Sequence, residues 1–179
     1  MACTELTYDR KFESEQAVRA LYRDLTLLLI EQRLQITTME SCTSGQIASL
    51  LTDTEGASAI LRGAFVTYSN EAKVLCGVPQ KVIDTSGVYS AETAAAMAVA
   101  ARASMCADLS IGVTGTMGNV DTENRDSVPG QVFFALDVRG EVRVFRLTVP
   151  QLSGRLCYKL AVAGHIGEKL LKIVAESNN

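Results

Sequence analysis

Histidine occurs once in this chain, tryptophan not at all, and no two cysteines are spaced as C-x-x-C. With His165 alone to join scattered thiols, no metal site is expected, and no cofactor. Positive charge is not in excess either: 17 Lys and Arg stand against 20 Asp and Glu, a formal charge of −3. That balance removes the electrostatic reason to expect nucleic acid or an anionic membrane surface as the main partner. No apolar run is long enough to span a bilayer. The run Tyr8-Asp9-Arg10-Lys11-Phe12-Glu13 stands where an export signal would be basic and then apolar, so a soluble, cytoplasmic protein is expected. The five cysteines are odd in number and scattered, which suits reduced thiols. Cys3, Cys76, Cys106 and Cys157 read as small buried apolar residues or incidental surface groups.

What is present is a length and composition suited to one domain: 179 residues, 47% of them hydrophobic. Residues 1–179 are read as a single domain, with 1–14 an N-terminal extension and 175–179 a frayed tail. Apolar residues at Val18, Leu21, Tyr22, Leu25, Leu28 and Leu29 predict an amphipathic helix over 15–32. A strand over 34–39, a loop and a helix over 46–51 follow, then a strand over 62–68. Ser69-Asn70-Glu71 is placed to cap a short helix ending at Cys76 and Gly77. Ser90 and Glu92 suit the start of an alanine-rich helix over 91–105, whose small residues allow close packing. A buried strand over 109–113 leads into a long polar loop over 115–129. Two strands, 131–138 and 141–149, turn at Arg139-Gly140 as a hairpin, and an amphipathic helix over 153–174 closes the chain. This order predicts an α/β fold, three layers deep, with a mixed sheet covered by helices on both faces. The apolar last helix and the small-residue helix also suit a homodimer. A polar loop as long as 115–129, following a strand end, is expected to be functional or mobile.

The chemistry concentrates in Glu40-Ser41-Cys42-Thr43-Ser44-Gly45, where a strand runs through small residues into a helix. Such a loop aims N–H groups and a helix N-terminus at a phosphate or a developing oxyanion. His165 lies mid-helix and is poorly placed for a serine–histidine–acid triad. Without histidine, a serine can be activated by a lysine whose pKa is depressed by burial, so that a neutral amine accepts the hydroxyl proton. Lys73 is the candidate, at the end of the next strand-to-helix turn. Cys42 is the rival nucleophile, since a helix N-terminus would lower its pKa. Its alternative is a small side chain facing the sheet.

The segments Glu40-Ser41-Cys42-Thr43-Ser44-Gly45, Phe65-Val66-Thr67-Tyr68-Ser69-Asn70-Glu71-Ala72-Lys73, Gly87-Val88-Tyr89-Ser90 and Gly112-Val113-Thr114-Gly115 together resemble the CinA C-terminal domain family. Its characterised members are nicotinamide-nucleotide amidohydrolases. The resemblance implies hydrolysis of the carboxamide of nicotinamide mononucleotide to nicotinate mononucleotide and ammonia, in pyridine-nucleotide salvage. It implies Ser41 as nucleophile, Lys73 as its base and Arg155, in Ser153-Gly154-Arg155, as the third catalytic residue. Substrate contacts are then expected from Cys42, Thr43, Ser44, Gly45, Tyr68, Asn70, Gly112, Thr114 and Gly115, with N–H groups of the 43–45 loop holding the oxyanion. Two departures bear on the substrate. Family members usually carry glycine where this chain has Ser44, and many follow the turn with Gly-Pro-x-Gly-Gly where this chain has Thr116-Met117-Gly118-Asn119-Val120-Asp121. The alternatives are a nucleotide-binding or regulatory protein without the chemistry, and an amidase acting on a different amide.

Overall fold

A computed structural model describes residues 2–176. Its frame is one six-stranded mixed sheet, formed by β1 (Cys3–Leu6), β2 (Ile36–Glu40), β3 (Leu61–Val66), β4 (Leu109–Gly115), β5 (Gln131–Val138) and β6 (Glu141–Thr148) in the order β1-β6-β5-β4-β2-β3. β2 lies between β3 and β4 and is parallel to both, whereas β5 and β6 form the antiparallel hairpin that the turn at Arg139-Gly140 predicts. Every residue of β2 and β4 is buried, as central strands covered on two faces must be.

The helices divide between the faces. On one side α1 (Glu15–Gln32), α2 (Gln46–Thr52) and α6 (Arg155–Glu176) pack together. The Tyr22 hydroxyl donates to Ala163 O at 2.9 Å and Thr26 Oγ1 to Leu51 O at 3.2 Å, tying the three. On the other side α5 (Ala91–Met105) lies across β2, β4 and β5, with α4 (Gln80–Ser86) against it. Ser90 caps α5 as predicted, accepting from Thr93 N–H at 3.1 Å. The α/β fold with helices on both faces is therefore the observed one.

Three local features go beyond the reading of the sequence. Within the segment read as an N-terminal extension, β1 pairs in parallel with β6, and Phe12, in a 3-10 turn over Arg10–Glu13, is buried. α4 was not predicted; it is short and mostly polar. α6 runs to Glu176, two residues into the tail expected to fray, whose positions 177–179 lie outside the described residues.

His165 shows what fastens the N-terminal segment. Its Nε2 accepts from Asp9 N–H at 2.8 Å and its Nδ1 faces Ala161 O at 2.8 Å, which assigns the proton to Nδ1 of a neutral ring. Tyr8 stacks on the ring and Phe12 meets it edge-on. Burial holds its pKa below the usual 6.5, against the opposing pull of Asp9 and Glu168. The unfolded chain therefore takes up this proton first on acidification. Stability is lost as pH falls from 6.5 toward the lower folded value. Urea unfolding at pH 7 and pH 5.5 should show that loss in the wild type and a shallower one in His165→Gln; equal slopes would remove His165 as its source.

Candidate active site

The parallel strands β2, β3 and β4 end side by side, with Glu40 paired to both Val66 and Val113. Open sheets place ligands at such carboxyl ends. Beyond Glu40 the chain turns at once: Ser41 N–H donates to Val113 O at 3.0 Å and Ser44 N–H to Ser41 O at 3.1 Å. Ser44 (φ 48°) and Gly45 (φ 88°) both take the left-handed conformation before α2 begins. Glycine does this without strain, serine at some cost. The Ser44 hydroxyl accepts from Lys159 Nζ of α6 at 3.1 Å.

The N-terminus of α2 is not open to a ligand, which corrects the expectation for this loop. The Glu40 side chain, 0% exposed, already fills it. Its Oε2 accepts from Gly45 N–H (3.0 Å) and Ile47 N–H (3.1 Å), and its Oε1 from Ala48 N–H (2.9 Å) and Thr38 Oγ1 (3.1 Å). Ser44 and Gly45 have thus spent their N–H groups inside the loop. Among the described residues, the N–H groups of Cys42 and Thr43 are left with no carbonyl or carboxylate acceptor.

Lys73 is brought in by α3 (Asn70–Leu75), which Ser69 caps by accepting from Ala72 N–H at 3.1 Å. The lysine is 1% exposed. Its Nζ lies 3.1 Å from Ser41 Oγ, 2.9 Å from Thr67 O and 3.5 Å from Ser69 O. An ammonium can donate to all three. A neutral amine keeps its two N–H bonds on the carbonyls and turns its lone pair to the serine hydroxyl, which then donates. Burial lowers the Lys73 pKa to about 8, with Cys42 and Glu71 pulling the other way. A usable fraction of neutral amine is therefore present near neutral pH.

Cys42 is the opposite case. Its side chain is 3% exposed and joins the apolar cluster that includes Ile47, Leu50 and Val113. Burial pushes its thiol up to about 12, against the lowering effect of Arg155. It stays protonated, so the thiolate that a rival nucleophile needs does not form at neutral pH.

Ser41 and Lys73 open into a cavity of ≈ 560 Å³, also lined by Cys42, Tyr68, Asn70, Gly115 and Arg155. Arg155, at the first turn of α6, donates to Met117 O at 3.1 Å through Nη1 and to Tyr68 Oη at 3.1 Å through Nη2. The 116–130 loop forms a wall of this cavity and is tied down rather than loose. Asp121 Oδ2 accepts from Tyr89 Oη at 2.5 Å and Asn124 Nδ2 at 2.7 Å, and Asn70 Nδ2 donates to Asn124 Oδ1 at 3.1 Å.

Five expected substrate contacts do not line the cavity: Thr43, Ser44, Gly45, Gly112 and Thr114. Thr43 is wholly buried, and Ser44 and Gly45 are occupied by Lys159 and Glu40. Gly112 faces α5, where an added Cβ would stand 2.3 Å from Ala94 O. Thr114 Oγ1 donates to Val88 O at 2.9 Å. His165 is spoken for by Asp9 and Ala161. No group of three His, Cys, Asp or Glu side chains among the described residues is placed to hold a metal ion.

Glu40, Tyr89, Asp121, Asn124 and Lys159 were missed as contributors. Glu40 carried a signal, an acid closing a strand that is otherwise apolar or β-branched, and Tyr89 stood in Gly87-Val88-Tyr89-Ser90, one of the segments that carry the resemblance.

Comparison with known proteins bears on the family and the fold. The signature described as the CinA C-terminal domain matches residues 18–164. A CinA-like protein of Geobacter sp. (strain M21) is 44% identical over 123 residues, which cover 68% of this chain and 30% of that protein. The chain thus spans about a third of the length of such curated relatives. The crystal structure of the competence/damage inducible protein CihA from Agrobacterium tumefaciens superimposes with a TM-score of 0.78 at 32% identity, over 87% of this chain and 94% of that one. A competence-damaged protein (CinA) superfamily protein from Klebsiella pneumoniae 700603 reaches a TM-score of 0.81 at 22% identity, over 89% of this chain and 98% of that one, a likeness of fold.

Proposed function

The chain belongs to the CinA C-terminal domain family, and on that premise we propose that it is an amidohydrolase of Ser–Lys type that converts nicotinamide mononucleotide to nicotinate mononucleotide and ammonia. The observation that carries the reading is the buried contact of Lys73 Nζ with Ser41 Oγ at 3.1 Å. Neutral Lys73 accepts the hydroxyl proton as Ser41 Oγ attacks the carboxamide carbon. The oxyanion is held by the N–H group of Cys42, which lines the cavity and which the loop leaves unspent. Lys73 returns the proton to the departing nitrogen, ammonia leaves, and water activated by the same amine resolves the acyl-enzyme. Tyr68, Asn70, Gly115 and Arg155 surround the rest of the substrate, with the Arg155 guanidinium nearest in chemistry to a phosphate.

Ammonia release from nicotinamide mononucleotide tests the reading. Wild type should release it, Ser41→Ala should not, and Cys42→Ala should retain most of the rate because its thiol is protonated and packed in the core. Turnover that survives in Ser41→Ala and disappears in Cys42→Ala would transfer the nucleophile's role to Cys42. Thermal stabilisation by the nucleotide with no ammonia released would favour a binding protein, and release only from other amides would keep the mechanism and change the substrate.

A further inference from the structure

The carboxylate that adjoins the nucleophile in sequence has no role in the mechanism above. Glu40 is fully buried, meets no cation within ion-pair distance among the described residues, and stands next to the nucleophile in sequence. A buried charge is costly unless its lone pairs are met by donors. All four of its partners are donors, three N–H groups of the Ser41 loop and α2 and one hydroxyl. Its main chain does a second job. Glu40 O accepts from Thr67 N–H at 2.9 Å, and Thr67 O in turn accepts from Lys73 Nζ at 2.9 Å. The side chain thus shapes the loop that carries Ser41, and the backbone of the same residue anchors the turn that aims Lys73.

We propose that Glu40 is the positioning residue of the Ser41–Lys73 pair. Its carboxylate acts as a resident anion that consumes the N–H groups of Gly45, Ile47 and Ala48, and so fixes the loop in the shape that turns the Cys42 N–H to the cavity. The inference rests on the reading of Ser41 as nucleophile, but not on the identity of the amide.

The side chain has no tolerant replacement. Each oxygen receives two donors, so in Glu40→Gln the amide NH2 faces the N–H groups of Gly45 and Ile47 in one orientation, and in the other it faces Ala48 N–H even when the Thr38 hydroxyl turns to accept. The loop must then open, moving Ser41 Oγ away from Lys73. A misplacement on the order of 1 Å is expected to lower kcat by about 30- to 100-fold, with KM within about threefold of wild type. The pH–rate midpoint should stay near 8, because burial lowers the Lys73 pKa against the opposing pull of Cys42 and Glu71, and Glu40 has no part in it.

A substrate-independent readout separates this from the amidase reading. An alkyl fluorophosphonate should label Ser41: the Oγ–P bond forms as the P–F bond breaks, the hydroxyl proton passes to Lys73 and fluoride leaves. Wild type that labels at Ser41 yet releases no ammonia from the mononucleotide would overturn only the substrate, and the labelling rates would still decide the role of Glu40. Labelling should slow in Glu40→Gln in parallel with kcat. Unchanged labelling, or an unchanged kcat per folded molecule with only a lower Tm, would overturn the proposal, as would wild type that never labels. Where Glu40→Gln does not accumulate folded, Thr38→Val removes one donor and keeps the charge. It should slow labelling by about threefold to tenfold, and no slowing would overturn the proposal.

Discussion

Lys73→Met is expected to reduce amide hydrolysis by about 10³-fold or more while leaving a folded protein, because it removes the one base among the described residues placed to take the Ser41 proton. Methionine reproduces the unbranched four-atom apolar stem of lysine and lacks only the terminal nitrogen, so most of the buried space stays filled, and the loss falls on the chemistry. In wild type the rate should rise with pH through a midpoint of about 8, the value to which burial lowers Lys73. The sign follows from the role: a base must be neutral to accept, so activity is low below the midpoint and reaches a plateau above it. A profile that falls across the same range would require a protonated Lys73 and would turn it into an acid or an oxyanion donor.

The same residue leaves a mark on stability. Its folded pKa is below the ordinary 10.5, so between about 8 and 10.5 the unfolded chain binds more protons than the folded one. Stability contributed at this site rises with pH across that window and is withheld below it. The difference between wild type and Lys73→Met should therefore move in favour of wild type by roughly 3 kcal/mol between pH 7 and pH 11. Tyrosines that titrate in the same range are common to both proteins and drop out of the comparison. A pH-independent difference would mean that Lys73 is not held neutral by the fold.

Legibility in the sequence followed the strength of local signals. α1, α5 and α6 were read to within about two residues because their apolar spacing or caps are internal to the segment. The β5–β6 hairpin was read from two β-prone runs joined at Arg139-Gly140. β1 was missed because three of its four residues are exposed, so no burial pattern marks it, and only its pairing with β6 makes it a strand. Within the site, Ser41 and Lys73 were read from the loop and the lack of a usable histidine as well as from motif resemblance, Arg155 from resemblance alone, and the structure brings all three to one cavity. The oxyanion donors were misassigned because a helix N-terminus looks open in a sequence. Whether it is open depends on where the preceding side chain goes, and Glu40 folds back into it. Gly45 and Ser44 are at the right place in the chain and are spent on internal bonds. Asp121 and Asn124 were hidden for a related reason: they meet Tyr89 and Asn70, which are distant in sequence.

Gly112→Ala is expected to destabilise the fold by about 3 kcal/mol or more, lowering Tm by roughly 6–12 °C, without changing the catalytic constant of the molecules that remain folded. Gly112 was read as a substrate contact, and its surroundings point elsewhere. An added Cβ would lie 2.3 Å from Ala94 O and 2.5 Å from Ala98 N, both main-chain atoms of α5, and 3.0 Å from Met97 Cβ. A flexible side chain could swing away from such a contact; a helix backbone must translate. The strand cannot yield instead, since β4 is hydrogen-bonded to β2 on one side and β5 on the other. Nor can α5 lift freely. Ser110 Oγ donates to Ala98 O at 2.6 Å, and Thr114 Oγ1 donates to Val88 O at 2.9 Å just ahead of the helix, two bonds that bracket Gly112. Ala94, Ala95 and Ala98 are the small residues that permit the close approach, so one methyl group on the strand undoes what three alanines on the helix allow. Gly154→Ala, where an added Cβ meets nothing within 4 Å, is the control and should leave Tm unchanged. The deciding comparison is thermal unfolding beside kcat measured well below the transition. A Tm within about 2 °C of wild type together with lost substrate affinity would return Gly112 to the binding site.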